Sequence, residues 1–238
     1  MIKRLLILLL AVLCLSTVAC NTAEEPLDVM PTEEPLIDSP TERPFDAPPT
    51  EEPLPAPEKP ILYFYPEEDT IVSAKLELNG QLTCTYPEYG TDGWENYLAK
   101  PDGTLFSQDG GEYYALYWEG EIDAPMDFTK GFCVEGSRTA DFLAEILPCL
   151  GLNAREANEF IIYWLPQMQG NAYNLISFQT DAYTDNAKLI LSPEPDTLIR
   201  VFMAWKSLEK PIGIEPQTIV TPERIGFTVV EWGGCKVG

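Results

Sequence analysis

Apolar and polar positions fall into three regimes along this chain. Leu5 to Leu15 is apolar without interruption, whereas residues 21–60 are acidic, rich in proline and without the apolar period of a helix or strand. From Ile61 onward apolar residues return, first in alternation, then at helical spacing, then in alternation again. Strands, a helix pair and further strands predict an α+β fold for residues 61–238.

Ile61-Leu62-Tyr63-Phe64-Tyr65 reads as a strand stopped by Pro66, and Thr70 to Leu78 as a second with clean period-two alternation. Asn79-Gly80 is a strong hairpin signal, so Gln81 to Tyr86 is the expected return strand. Trp94 to Lys100, Thr104 to Ser107 and Glu112 to Trp118 follow, separated by Pro101-Asp102-Gly103 and Asp109-Gly110-Gly111 turns. Short strands at this spacing predict an antiparallel β-rich domain, either sandwich-like or a strongly twisted sheet.

A central two-helix hairpin interrupts the strands. Ser137 is placed to cap a helix from Thr139 to Leu147, with Phe142, Leu143, Ile146 and Leu147 on one face and Gly151 beyond its end. Asn153, with Glu156 three residues on, predicts a capping box for a second helix that buries Phe160, Ile161, Trp164 and Leu165 and stops at Pro166. Tyr173 to Gln179, Lys188 to Leu191, Leu198 to Trp205 and Phe227 to Trp232 are β-branched and aromatic enough to be strands, Leu198 to Trp205 a central one.

The N-terminal apolar run carries its own message. Lys3 and Arg4 precede it, and the small residues Thr17-Val18-Ala19 separate it from Cys20. This order resembles the lipobox of bacterial lipoproteins, with Thr17 where that family prefers leucine. The resemblance implies a signal peptide over residues 1–19, removed before a Cys20 diacylated on sulfur. The apolar run is short for a spanning helix, which needs about 20 residues, and two acyl chains are enough for stable anchoring. The expected location is therefore the outer side of a cell membrane, lipid-anchored and facing outward.

Residues 20–60 follow as the acylated cysteine and a spacer. Glu25-Pro26-Leu27, Glu34-Pro35-Leu36, Arg43-Pro44-Phe45 and Glu52-Pro53-Leu54 place their prolines nine residues apart. Frequent proline and mutual acidic repulsion predict an extended, disordered tract. At about 3.1 Å per residue it reaches on the order of 100 Å, a stalk for the domain.

Charge and composition narrow the function. The chain holds 15 basic and 38 acidic residues, a net charge of −23. Nucleic acid, whose binding rests on neutralised phosphates, is an unfit partner. Histidine is absent altogether. That removes Ser-His-Asp and Cys-His nucleophiles and imidazole acid–base work. Cys84, Cys133, Cys149 and Cys235 form no Cys-x-x-Cys pair, and in an exported chain four cysteines allow three disulfide pairings.

Several stretches are familiar together: Lys59-Pro60-Ile61-Leu62-Tyr63-Phe64-Tyr65-Pro66, Leu82-Thr83-Cys84-Thr85-Tyr86-Pro87, Ala99-Lys100-Pro101-Asp102-Gly103, Tyr117-Trp118-Glu119, Asn158 to Pro166 and Phe227 to Gly234. In these the chain resembles an uncharacterised family of exported, often lipid-anchored bacterial proteins. The resemblance covers Lys59 to Gly234 and implies one intact domain; it carries no activity, ligand or catalytic residue with it.

Aromatic residues are the first candidates for chemistry. Trp94, Tyr97, Tyr113, Tyr114, Tyr117 and Trp118 crowd the β half, and exposed rings there would stack on sugar faces. Trp94, Tyr97, Tyr117 and Trp118 are the expected ligand-binding residues, against the alternative that such rings fill the core. Glu119, Glu121 and Glu231 are carboxylates for glycosidase work only if two of them face one cleft. Asp92-Gly93, Asp102-Gly103 and Asp109-Gly110 read as turns rather than calcium loops, and Cys235 as a tail cysteine. No metal, cofactor or catalytic residue is assigned. The expected activity is binding of a cell-wall glycan or a protein, with a carboxylate-based hydrolase of polysaccharide as the alternative.

Overall fold

The structure, a computed structural model, describes residues 57–238. The expected signal peptide, Cys20 and the spacer up to residue 56 lie outside the described residues. Twelve strands and three α-helices make up the domain: β1 (Glu58–Tyr65), β2 (Thr70–Leu78), β3 (Gly80–Tyr86), β4 (Trp94–Ala99), β5 (Leu105–Phe106), β6 (Glu112–Tyr113), β7 (Leu116–Ile122), β8 (Phe132–Glu135), α1 (Thr139–Cys149), α2 (Ala154–Met168), β9 (Tyr173–Gln179), α3 (Asp181–Thr184), β10 (Ala187–Ser192), β11 (Thr197–Leu208) and β12 (Thr228–Lys236). They form a seven-stranded sheet, β3-β7-β1-β12-β11-β9-β8, and a five-stranded sheet, β10-β2-β4-β5-β6. The antiparallel-rich α+β architecture expected from the pattern is what the chain adopts. Among the named strand pairs only β11 and β12 run parallel.

Period-two alternation on the long strands sorts two cores onto opposite faces of the larger sheet. Leu62 and Phe64 of β1, Phe202 and Ala204 of β11 and Val229 of β12 join Val72, Ala74 and Trp94 between the two sheets. Ile61, Tyr63, Ile199, Val201, Met203, Val230 and Trp232 face α1 and α2 with Leu143, Leu147, Phe160 and Trp164. The layers are thus helix pair, large sheet, small sheet. The helices approach the sheet closely because β12 carries glycine there: a Cβ on Gly234 would stand 2.8 Å from Trp164 and 2.4 Å from the Met203 carbonyl.

Asn153 caps α2 as expected: its side chain accepts from the Glu156 N–H, and the Glu156 carboxylate accepts from the Asn153 N–H at 2.8 Å. Several expectations need correction. Ser137 caps nothing; it sits inside a 3₁₀ turn, Gly136–Arg138, that leads directly into α1. Pro166 does not stop α2, which runs on to Met168 with proline in its last turn. The first strand starts at Glu58, three residues before the expected boundary, because the backbone already pairs Glu58 with Gly234. The expected strand from Glu112 to Trp118 is two strands in different sheets. Cys235 is no tail residue: it is fully buried in β12, and burial pushes its thiol up to about 12. All four cysteines of the domain are free thiols.

The largest correction concerns Asn79-Gly80. It does not fold β2 back on β3. β2 pairs with β4 and β10, while β3 pairs with β7 in the other sheet. Asn79 is the switch point, its N–H donating to the Asn186 carbonyl and its carbonyl accepting from the Asp123 N–H, both at 2.8 Å. Glycine follows because a Cβ there would collide with the Glu121 carbonyl. The dipeptide is a corner between layers rather than a hairpin.

Candidate functional site

The helix pair does not cover the β3–β7 edge of the large sheet. On β7, Leu116, Trp118 and Ile122 point inward between the sheets, so Tyr117, Glu119 and Glu121 take the opposite parity and face the helix side. Tyr117 is register partner to Tyr86 on β3 and to Ile61 on β1, which brings the three onto one face. Tyr113 and Tyr114 lie where the chain steps from one sheet to the other. A groove of about 430 Å³ opens here, lined by Lys59, Tyr86, Glu112, Tyr113, Tyr114 and Tyr117. A second hollow of about 430 Å³ continues toward α2, sharing Lys59 and Tyr114 and adding Glu159, Ile162 and Tyr163.

The rings are held by charge. The Lys59 ammonium stands 5.3 Å from the Tyr117 ring centre and 5.9 Å from that of Tyr163, and the Arg155 guanidinium 5.0 Å from Tyr114. Tyr163 donates its hydroxyl to Glu58 at 3.1 Å, and Tyr63 donates to Glu159 at 2.5 Å, while Arg155 pairs with the other Glu159 oxygen. Burial, then the neighbouring carboxylates Glu119, Glu58 and Glu159, raise the pKa of Tyr117, Tyr163 and Tyr114 respectively. Above-normal values keep these phenols protonated, hence donors, at any physiological pH. The groove therefore offers flat apolar faces with one lysine and the carboxylates Glu112 and Glu159 on its walls, while Tyr163 and Tyr117 spend their hydroxyls on Glu58 and Glu119.

The four expected ligand-binding residues do not come together. Trp118 is fully buried between the sheets, and Trp94 is 1% exposed with its indole N–H donated to the Pro87 carbonyl at 2.9 Å. Tyr97 is 8% exposed. Trp94 and Tyr97 floor a shallow depression of about 350 Å³ on the small sheet, but neither presents a ring face to solvent. Only Tyr117 belongs to the groove. Its companions Lys59, Tyr86 and Tyr163 come from distant segments, and their isolated aromatic or basic positions gave no local sign of the meeting. Tyr86 is 64% exposed, which only the structure shows.

The carboxylates separate as well. Glu231 faces the space between the sheets, on the other side of the large sheet from Glu119 and Glu121, so it shares no cleft with either. There it accepts from Trp118 at 3.1 Å, Tyr183 at 3.1 Å and Arg200 at 2.7 Å. Arg200 also lies over the Tyr183 ring, 4.8 Å from its centre. This is a structural ion pair. Asp102 accepts from the Thr104 N–H within its own turn, which lowers its pKa, and among the described residues no group of three acidic or thiol side chains is placed to hold a metal.

An uncharacterized protein in the bglA 3′ region of Butyrivibrio fibrisolvens is 41% identical to this chain over 64 residues. That stretch is 26% of this chain and 66% of the other protein, so the chain spans just under two thirds of the relative's length. No family model and no solved structure matches the chain.

Proposed function

We propose that the chain is an outward-facing cell-surface lipoprotein, anchored through a diacylated Cys20 and held off the membrane by the tract that follows. Its domain binds a cell-wall glycan in the tyrosine groove. The observation that carries this reading is the meeting of Tyr86, Tyr113, Tyr114, Tyr117 and Tyr163 around Lys59 in one open groove. Sugar rings have flat C–H faces that lie on aromatic rings, and hydroxyls that accept from a lysine such as Lys59 and donate to a carboxylate such as Glu112. The groove is open and shallow, as suits a polymer that enters from the side.

Mature protein mixed with purified cell-wall sacculi and centrifuged should appear in the pellet with the glycan unchanged in length. Tyr117→Ala should weaken that association by about tenfold, the scale of one lost ring–ligand contact. Unaltered pelleting of the variant would remove the groove from the account, and shortened glycan would make the protein a hydrolase instead.

The anchor has its own experiment. Cys20→Ala should release the protein into the medium or leave it unprocessed in the membrane. A variant that is processed and still retained at the wild-type level would show that Cys20 carries no lipid.

A further inference from the structure

We propose that the groove selects amino sugars whose nitrogen is a free ammonium over their N-acetylated counterparts. The proposal rests on the groove being a glycan site, and it names the sugar chemistry that the site prefers.

Three observations converge on a cation. The first is the charge around the groove. Glu112 lines it and Glu159 lines its continuation toward α2, while Glu58 and Glu119 stand beside the hydroxyls of Tyr163 and Tyr117. Against these four carboxylates the same surface sets two cations, Lys59 and Arg155. An excess of negative charge in a concave site draws cationic ligands and repels anionic ones. The second observation is what the rings already do. The protein seats its own cations on three of the tyrosines, Lys59 over Tyr117 and Tyr163 and Arg155 over Tyr114. The negative π face of each ring is what holds them. Among the described residues no cation stands over Tyr86 or Tyr113. Those two rings meet at 74° with centres 5.7 Å apart, so they form a corner rather than a stack.

The third observation is Glu112 itself. It directly precedes Tyr113 in β6 and is exposed on the groove wall. Among the described residues no lysine or arginine pairs with it. The other carboxylates are engaged: Glu58 by Tyr163, Glu119 by Tyr117, and Glu159 by Tyr63 and Arg155. An ammonium in the Tyr86–Tyr113 corner therefore meets an unoccupied π face and an unpaired carboxylate at once. Lys59 is left to donate to the hydroxyls of the sugar. N-acetylation turns that ammonium into a neutral amide. The amide keeps an N–H but loses one exposed ion pair and one cation–π contact, together worth about tenfold in affinity.

The test uses the whole mature protein in detergent and two soluble probes of equal length, β-linked oligomers of glucosamine and of N-acetylglucosamine. They are titrated at about pH 6, where an amine is charged and carboxylates are still ionised. The glucosamine oligomer should bind about tenfold more tightly at low salt, and the gap should shrink as salt screens it. Glu112→Gln should close most of the gap. Tyr86→Leu, which keeps an apolar surface but no ring, should narrow it several-fold. Both residues are exposed, so neither change disturbs the core. Equal affinity for the two oligomers, tighter binding of the acetylated one, or a gap unmoved by either substitution would overturn the proposal. A lysine-rich peptide that binds as tightly as the glucosamine oligomer would overturn it too, since the groove would then read charge without sugar. Sacculi pelleting run alongside separates the two claims. Pelleting with no gap between the oligomers sinks the ammonium alone, and the absence of both pelleting and oligomer binding sinks the glycan reading beneath it.

Discussion

Glu231→Gln should lower the unfolding free energy by about 3–5 kcal/mol, the usual result of leaving one half of a buried ion pair behind. The substitution keeps the size of the side chain, and the amide oxygen can still accept from Trp118 or Tyr183. What it removes is the charge that balances Arg200, whose side chain is 8% exposed and has one terminal nitrogen already without a partner. Arg200 cannot withdraw to water, because Tyr183 lies against it and is itself stacked on Phe202 at 4.0 Å. Urea denaturation should show a lower midpoint at unchanged slope. Arg200→Met added to Glu231→Gln should recover most of the loss, since it removes the stranded cation. A loss below about 1 kcal/mol for the single variant would mean that Arg200 finds water without help, contrary to its burial.

Trp164→Ala should cost about 3–5 kcal/mol as well, and it should also damage binding. Trp164 is fully buried between α2 and the large sheet, beside the space that Gly234 leaves open. Its ring packs edge-on against Tyr163 with centres 4.9 Å apart. Removing it makes a cavity under the helix and frees Tyr163, which forms the far wall of the groove. Urea denaturation measures the first effect. Sacculi pelleting, at a temperature where the variant is still folded, measures the second and should fall several-fold. Loss of stability with full pelleting would show that the α2 wall contributes nothing to binding.

Which parts of this were legible in the sequence follows from what each rests on. The parity of β1 and β11 is local, so the two-faced large sheet could be read from residues such as Leu62, Tyr63, Phe202 and Met203. The capping box at Asn153 needs four consecutive residues, and it was legible for the same reason. Which strand pairs with which is not local. Asn79-Gly80 has hairpin chemistry, yet the small sheet already satisfies both edges of β2 with β4 and β10. β8 escaped notice because Phe132 to Glu135 is short and earns its place only by pairing with β9. Trp94 and Trp118 were expected at the surface because aromatic content says nothing about which face a ring takes. The groove depends on residues 59, 86, 117 and 163 meeting, and only the finished topology brings them together.

That topology also puts the pairing most distant in sequence at the centre of the large sheet. β1 opens the domain and β12 closes it, yet they are neighbours in the middle of the large sheet, with Leu62 opposite Glu231. Without β12, β3-β7-β1 and β11-β9-β8 would be two half-sheets, each with an open edge. Joining the ends of the domain across so long an intervening loop is slow and entropically costly. The β1–β12 seam, the pairing most distant in sequence, is thus the keystone that makes one sheet of two.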